Sequence, residues 1–121
     1  MPAALRAVTT DTCDTVADRV ATICHEGGAI HALANLGGDA RAAGPQRDGS
    51  PWRVGISDPR RTDAVVATVE LNSGAVATSG DYERFFDLGG RRYCHIIDAR
   101  SGHPVTHWQS ISVIAPLCVL A

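Results

Sequence analysis

The sequence predicts an α+β fold in which one N-terminal helix packs on a mainly antiparallel sheet. Three observations predict it. One segment has an apolar repeat of helical period, about seven short runs are rich in Val, Ile and Ala, and glycine- and proline-rich turns separate most of these runs. A helix beside consecutive short strands is a common layer arrangement. The length of 121 residues fits one domain.

The helix is expected to run from a cap at Asp11 or Thr12 to Glu26. Both capping residues carry a side-chain oxygen that can accept a hydrogen bond from the first helical turn. Apolar residues recur at the spacing of one buried helical face, at Val16, Val20, Ile23 and Cys24. The glycine pair at 27–28 is typical of a helix C-terminus.

The strands follow in order, each bounded by a turn. The first strand leads through Gly37-Gly38-Asp39 into the second, and the turn at Ser57-Asp58-Pro59 closes the third. We expect strands at residues 29–36, 40–43, 52–56, 64–71, 75–78, 82–87, 92–98 and 111–115. Pro116 then stands where the first turn of a second helix accepts proline.

Composition excludes several classes of function. The formal net charge is -2, so we expect no nucleic acid partner. All eleven cationic residues are arginine. Without lysine, Schiff-base chemistry and the phosphate lysine of Walker-type loops are excluded. The cysteines, at irregular spacing, predict reduced and packed thiols: Cys13, Cys24, Cys94 and Cys118. No segment resembles a signal peptide, which predicts a cytoplasmic location.

Candidate chemistry concentrates in the second half of the chain. The run Thr78-Ser79-Gly80-Asp81-Tyr82 brings hydroxyls, a carboxylate and a glycine to one strand end, which suits either a polar ligand or a turn. Arg84 can clamp a phosphate or form a surface ion pair. Histidine is the usual general base near neutral pH, so His95 is either a catalytic base or a packed histidine.

Four motifs in order resemble one family, the FAD:protein FMN transferases or ApbE-type flavin transferases. The similarity runs from about Asp18 to the end of the chain. Its motifs are Leu36-Gly37-Gly38-Asp39, Pro51-Trp52-Arg53-Val54-Gly55-Ile56 with Asp58-Pro59, residues 74–86, and His95-Ile96-Ile97-Asp98-Ala99-Arg100-Ser101-Gly102-His103-Pro104. The resemblance implies a T-fold-like α+β fragment.

The resemblance also implies a reaction. It implies Mg²⁺-dependent transfer of FMN from the substrate FAD to a Thr or Ser hydroxyl, with release of AMP. The target would be a flavoprotein of a membrane electron-transfer complex. His95 would activate the acceptor hydroxyl, and Thr10 would help to hold the metal. The residues that would bind the flavin substrate are Cys13, Gly80, Asp81, Tyr82, Arg84, His95, Ile96 and Ile97.

The chain also departs from the family pattern. Cys13 stands where the family carries Lys or Glu, and the main Asp and Thr metal ligands would follow Ala121. We therefore expect residues 1–121 to be one partial domain, truncated at both ends, with weak or no transferase activity alone. The alternatives are a non-catalytic module that binds flavin or docks a partner, and a shortened reading frame without function. Uncovered apolar surface predicts self-association, and full-length relatives are often periplasmic or membrane-anchored lipoproteins.

Overall fold

The structure, a computed structural model, describes residues 12–121, with helical side chains from Thr15 onward. This part contains one helix, eight strands and a short 3-10 turn. They are α1 (Thr12–Glu26), β1 (Leu33–Leu36), β2 (Asp39–Ala42), β3 (Trp52–Ser57), β4 (Val65–Leu71), β5 (Gly74–Gly80), β6 (Phe85–Leu88), β7 (Arg91–Cys94), β8 (Ser110–Ala115) and the turn Cys118–Leu120. Every named strand pair is antiparallel, which confirms the α+β prediction. Within residues 12–121, no helix is long and apolar enough to cross a membrane.

Four strands form the central sheet, in the order β1-β2-β5-β8. The other strands form two separate hairpins, β3–β4 and β6–β7. Strands β1 and β2 are joined by Gly37 and Gly38, with φ of 63° and 101°. Positive φ at both central residues defines the tight turn whose twist matches a hairpin, and glycine adopts it without steric cost.

The central sheet is covered on both faces. On one face the β3–β4 hairpin packs against β2 and β5, and this core consists of Ala40, Ala42, Ile56, Leu71 and Val76. On the other face α1 and the C-terminal turn pack through Ala17, Ala75 and Cys118, with Leu36 at the margin. Because side chains alternate along a strand, Ala77 and Ser79 point to the same face as Ala75. A cleft lies on that face, beyond the helix.

Helix α1 buries a different side from the one that the apolar repeat predicts. Ala17 and Ala21 are buried, whereas Val16, Val20 and Ile23 are 44%, 38% and 53% exposed. The prediction is therefore wrong for these three residues. Alanines let the helix backbone approach the sheet closely, and the branched residues are left on the outer side as an exposed apolar stripe. At its end the helix closes with a Schellman motif, in which Ala29 N–H donates to the Cys24 carbonyl at 2.7 Å.

Three predicted boundaries are wrong. Strand β1 begins only at Leu33, β6 begins at Phe85 rather than Tyr82, and β7 ends at Cys94 rather than Asp98. Beyond Cys94 the chain turns back on itself, since Val105 N–H donates to the Ile96 carbonyl at 3.0 Å and Ile97 bridges to Pro104. Local β-propensity therefore overstates strand length where nearby residues satisfy the backbone in a loop.

The segment after Pro116 does not begin a regular helix in the described part. It forms the 3-10 turn Cys118–Leu120. The carboxylate of Asp18 on α1 accepts hydrogen bonds from the backbone N–H groups of Cys118 at 2.9 Å and Val119 at 3.1 Å. Short turns have unsatisfied N–H groups at their start, and a carboxylate is a strong acceptor for them. Asp18 thereby fastens the C-terminal turn to the helix.

Candidate functional site

The cleft on the helix side of the sheet has a volume of about 410 Å³. Its floor is the second half of β5, its apolar wall comes from β8, and the β1–β2 turn and the β5–β6 connection close two other sides. The lining residues are Gly37, Asp39, Ala77, Thr78, Ser79, Gly80, Glu83, Arg84, His95, Ile111, Val113 and Ala121. The volume lies within the usual range of small-molecule sites, about 300–1,000 Å³.

Arg84 and His95 meet at the mouth of this cleft. The carbonyl of Arg84 lies 3.1 Å from the backbone nitrogen of His95 and 3.3 Å from its ring Nδ1. A carbonyl oxygen only accepts, so this contact requires the proton on Nδ1, and in the neutral ring the lone pair is then on Nε2. The site therefore combines an arginine cation with an imidazole that can take up a proton.

Gly80 lines the cleft, while Tyr82 turns away from it. The Tyr82 ring packs so closely on Gly80 that a Cβ at this position would lie 2.2 Å from the ring carbon Cε1. Glycine is thus required by close approach, not by its φ. Tyr82 lines a second cleft on the other side of the β5–β6 connection, together with Arg60, Phe85 and Arg92. Burial raises the pKa of the Tyr82 phenol, and the nearby Glu83 and Asp81 charges add to the shift.

Asp81 is buried and bound by an arginine from the β3–β4 hairpin. Both guanidinium nitrogens of Arg60 donate to the Asp81 carboxylate, each at 2.7 Å. Arg92 adds a contact at 3.9 Å, and the Asp81 backbone N–H donates to the Gln109 carbonyl at 2.9 Å. The hydrogen bonds from Arg60 are the largest cause that holds the pKa of Asp81 below its ordinary value. The Asp81 carboxylate is therefore engaged within the protein.

The structure brings together three of the residues predicted to bind flavin, Gly80, Arg84 and His95, and the cleft also takes in Thr78 and Ser79 of the candidate run. Ile96 is half-buried and Ile97 is 50% exposed, and neither lines the cleft that holds His95. Cys13 lies in the first turn of α1 with its side chain outside the described part, and Thr10 lies outside the described residues altogether.

Sequence reasoning missed several cleft residues. Glu83 brings a carboxylate, and Ile111 and Val113 form the apolar wall. Asp39 lines the cleft as well, but its Gly-Gly-Asp turn was already one of the four motifs. Arg60 was missed as well, although it directly follows the Asp58-Pro59 turn signature. No local pattern indicates Ile111 and Val113, which are typical only of a buried strand.

The described residues do not fit a metal ion. In residues 12–121, no group of three or more His, Cys, Asp or Glu side chains is arranged to hold one. The carboxylates of the cleft come from the start of β2, at Asp39, and from the β5–β6 connection, at Glu83. Asp18 and Asp81 are engaged in hydrogen bonds within the protein. A magnesium site built from three or more protein side chains would need ligands from outside this part of the chain.

A sheet face that holds arginine, imidazole and hydroxyl groups beside an apolar wall is a candidate small-molecule site. A family model described as the ApbE family matches residues 14–121, and this chain belongs to that family. The FAD:protein FMN transferase of Klebsiella pneumoniae is 38% identical over 107 residues, which cover 87% of this chain and 31% of that protein. The one from Treponema pallidum is 47% identical over 92 residues, 74% of this chain and 25% of that protein.

Solved structures agree with the fold. The crystal structure of the ApbE protein from Thermotoga maritima superposes with a TM-score of 0.83 at 39% identity, covering 89% of this chain and 35% of that one. The apo form of the Pseudomonas stutzeri flavinyl transferase ApbE gives 0.70 at 36% identity, covering 91% and 34%. The chain thus spans about a third of the length of the relatives it matches.

Proposed function

We propose that this chain carries part of the catalytic site of an FAD:protein FMN transferase. In the proposed reaction a Thr or Ser hydroxyl of a target flavoprotein attacks the FMN phosphorus of FAD. The bond from that phosphorus to the bridging oxygen breaks, AMP leaves with that oxygen, and the hydroxyl proton moves to a base. The observation that carries the proposal is the contact between the His95 ring and the Arg84 carbonyl, within one cleft.

His95 is the proposed base. Its Nδ1–H donates to the Arg84 carbonyl at 3.3 Å, so Nε2 is available to accept the proton of the acceptor hydroxyl. Phosphoryl transfer depends on position and electrostatics more than on covalent help from the protein. An imidazole held in one tautomer at the cleft mouth meets that need.

The other cleft residues would hold FAD. The Arg84 guanidinium can form paired hydrogen bonds to phosphate oxygens. Ile111 and Val113 offer an apolar wall for the flavin ring. Mg²⁺ is the proposed cofactor, and residues 12–121 hold no group of three ligating side chains for it. The roles proposed for Arg84 and His95 are argued from the contacts of these two residues themselves.

We also propose that residues 1–121 form one partial domain that needs further elements for full activity. Support comes from the coverage of about a third of each relative. The test is a chimera in which residues 14–121 replace the matching third of the Klebsiella pneumoniae relative. It is incubated with FAD, Mg²⁺ and an acceptor flavoprotein, and flavin fluorescence that survives a denaturing gel reports transfer. The unfused chain should give weak or no transfer.

The matched variants in the chimera are His95→Ala and His103→Ala. Loss of a general base lowers rates by about 10²–10⁴-fold, so His95→Ala should abolish most of the transfer. His103 is exposed and is not a lining residue of the cleft, so His103→Ala should leave transfer unchanged. Full transfer by the His95→Ala chimera would overturn the proposal.

The second candidate function is a module that binds flavin or docks a partner chain without catalysis. Exposed apolar residues favour it, because such patches mark interaction surfaces. They occupy the outer side of α1 and the C-terminal part of the chain, where Ile111, Val113, Ile114, Val119 and Leu120 are 40% to 64% exposed. Flavin binding by the chimera without AMP release would favour this function over the transferase.

A further inference from the structure

The connection between β5 and β6 is held in place through both the backbone and the side chain of its first residue. Its first residue, Asp81, donates its backbone N–H to the Gln109 carbonyl at 2.9 Å, and its carboxylate takes both hydrogen bonds from Arg60. The Asp81 side chain is only 10% exposed, whereas Arg60 is 41% exposed. A buried carboxylate with paired hydrogen bonds has one favoured position. The connection is therefore held at the point where it leaves the sheet.

The same connection carries the carbonyl that orients the His95 ring. Arg84 lies three residues after Asp81, and its carbonyl receives the backbone N–H and the Nδ1–H of His95. A shift of the connection would lengthen both contacts, and the longer one, at 3.3 Å, is near the limit of a hydrogen bond. The path from hairpin to imidazole thus runs from Arg60 through Asp81 and Arg84 to His95.

We infer that Arg60 is a positioning residue, which holds the β5–β6 connection so that the Arg84 carbonyl keeps His95 in its Nδ1–H form. Arg92 lies 3.9 Å from the same carboxylate, and its closer contacts are with the Phe85 ring, at 3.7 Å, and with Asp87, at 3.3 Å. The inference rests on the proposed function only for the role of His95 as the base. The statement about which ring nitrogen of His95 carries the proton does not depend on catalysis.

The test uses the full chain labelled with ¹⁵N, and it reads the ring nitrogen shifts of His95 at about pH 9, where imidazoles are neutral. In Arg60→Ala the His95 shifts should move toward those of free histidine, while His25, His31, His103 and His107 stay in place as internal references. Arg60→Lys keeps the charge without the two-pronged geometry and should restore part of the change. Arg61→Ala is the matched control, since Arg61 is the exposed neighbour of Arg60.

Two outcomes decide the inference. The inference would be overturned if the His95 nitrogen shifts were the same in Arg60→Ala, in Arg61→Ala and in the natural chain. If Arg60→Ala does not fold, Asp81→Asn supplies the test, because the amide keeps the shape of the side chain but loses the charge that Arg60 binds. Unchanged His95 shifts in Asp81→Asn would overturn the inference equally. FAD titration gives a second readout, with affinity about tenfold weaker in Arg60→Ala. A natural chain that binds no FAD would count against the proposed function alone, since the nitrogen shifts still test the role of Arg60.

Discussion

Asp18 on helix α1 accepts a hydrogen bond at 2.9 Å from the backbone N–H of Cys118, a residue 100 positions further along the chain. The same carboxylate also lies 3.4 Å from the Nε of Arg41 on β2. One half-buried acid thus connects the helix, the sheet and the C-terminal turn, and that turn ends at the cleft through Ala121.

Asp18→Ala should lower the free energy of unfolding by about 2 kcal/mol, because N–H groups and a guanidinium lose a charged acceptor. Asp18→Asn, which keeps one carbonyl oxygen, should lose less. Urea denaturation followed by circular dichroism gives both values. Glu26→Ala, at an exposed position of the same helix, is the control and should stay within about 0.5 kcal/mol of the natural chain. Equal losses in Asp18→Ala and Glu26→Ala would contradict the structure.

Asp81 should make stability depend on pH in the acid range. Its folded-state pKa is lower than that of the unfolded chain, with the Arg60 hydrogen bonds as the main cause. The contribution of Asp81 to the free energy of unfolding is therefore complete above the ordinary carboxyl pKa of about 3.9. This contribution is lost as the pH falls from there through the lower folded-state pKa. Asp81→Asn should be less stable at neutral pH by about 2 kcal/mol and should show a shallower acid decline.

Urea denaturation at a series of pH values measures the contribution of Asp81. Asp63→Asn, at an exposed acid of the β3–β4 connection, is the control and should keep the acid decline of the natural chain. An acid decline that is equally steep with and without the Asp81 carboxylate would show that the ion pair does not contribute to stability.

Arg84→Ala should weaken the binding of FAD by about tenfold, because the paired hydrogen bonds proposed between the Arg84 guanidinium and a phosphate are lost. The loss should shrink at high salt, since ions screen the attraction of an exposed cation. Fluorescence titration of FAD gives both results. The control is Arg100→Ala, whose side chain is 92% exposed and pairs with Asp98 away from the cleft lining. Equal affinities in the two variants would mean that the phosphates bind elsewhere.

The apolar stripe on α1 should drive association between copies of the chain. Val16, Val20 and Ile23 are 38% to 53% exposed and lie on one side of the helix. Replacing Val20 and Ile23 by Glu should leave the fold intact, because neither side chain is buried, and should shift the sedimentation profile toward monomer. Thr15→Glu, at an exposed polar position of the same helix, is the control. A natural chain that is monomeric at high concentration would refute this expectation.

Much of the architecture follows from local patterns. The α+β class, helix α1 to Glu26 and the turn at Gly37-Gly38 were all predictable, since periodicity and turn chemistry act between neighbouring residues. The ordered motifs were also sufficient for the family, because turn glycines and site residues keep their order along the chain. Arg84 and His95 could be selected as candidates by residue type alone.

The assembly of the site depends on contacts between residues that lie far apart in the sequence. Apolar periodicity marks a helical face as apolar, but only the packing partner determines that Ala17 rather than Val16 meets the sheet. Similarly, Asp81 looked like a ligand-binding acid until folding placed it against Arg60, 21 residues earlier. The sequence specifies which groups are present. Long-range packing determines which of these groups form hydrogen bonds within the described part of the protein and which, such as the Nε2 of His95, remain free to react.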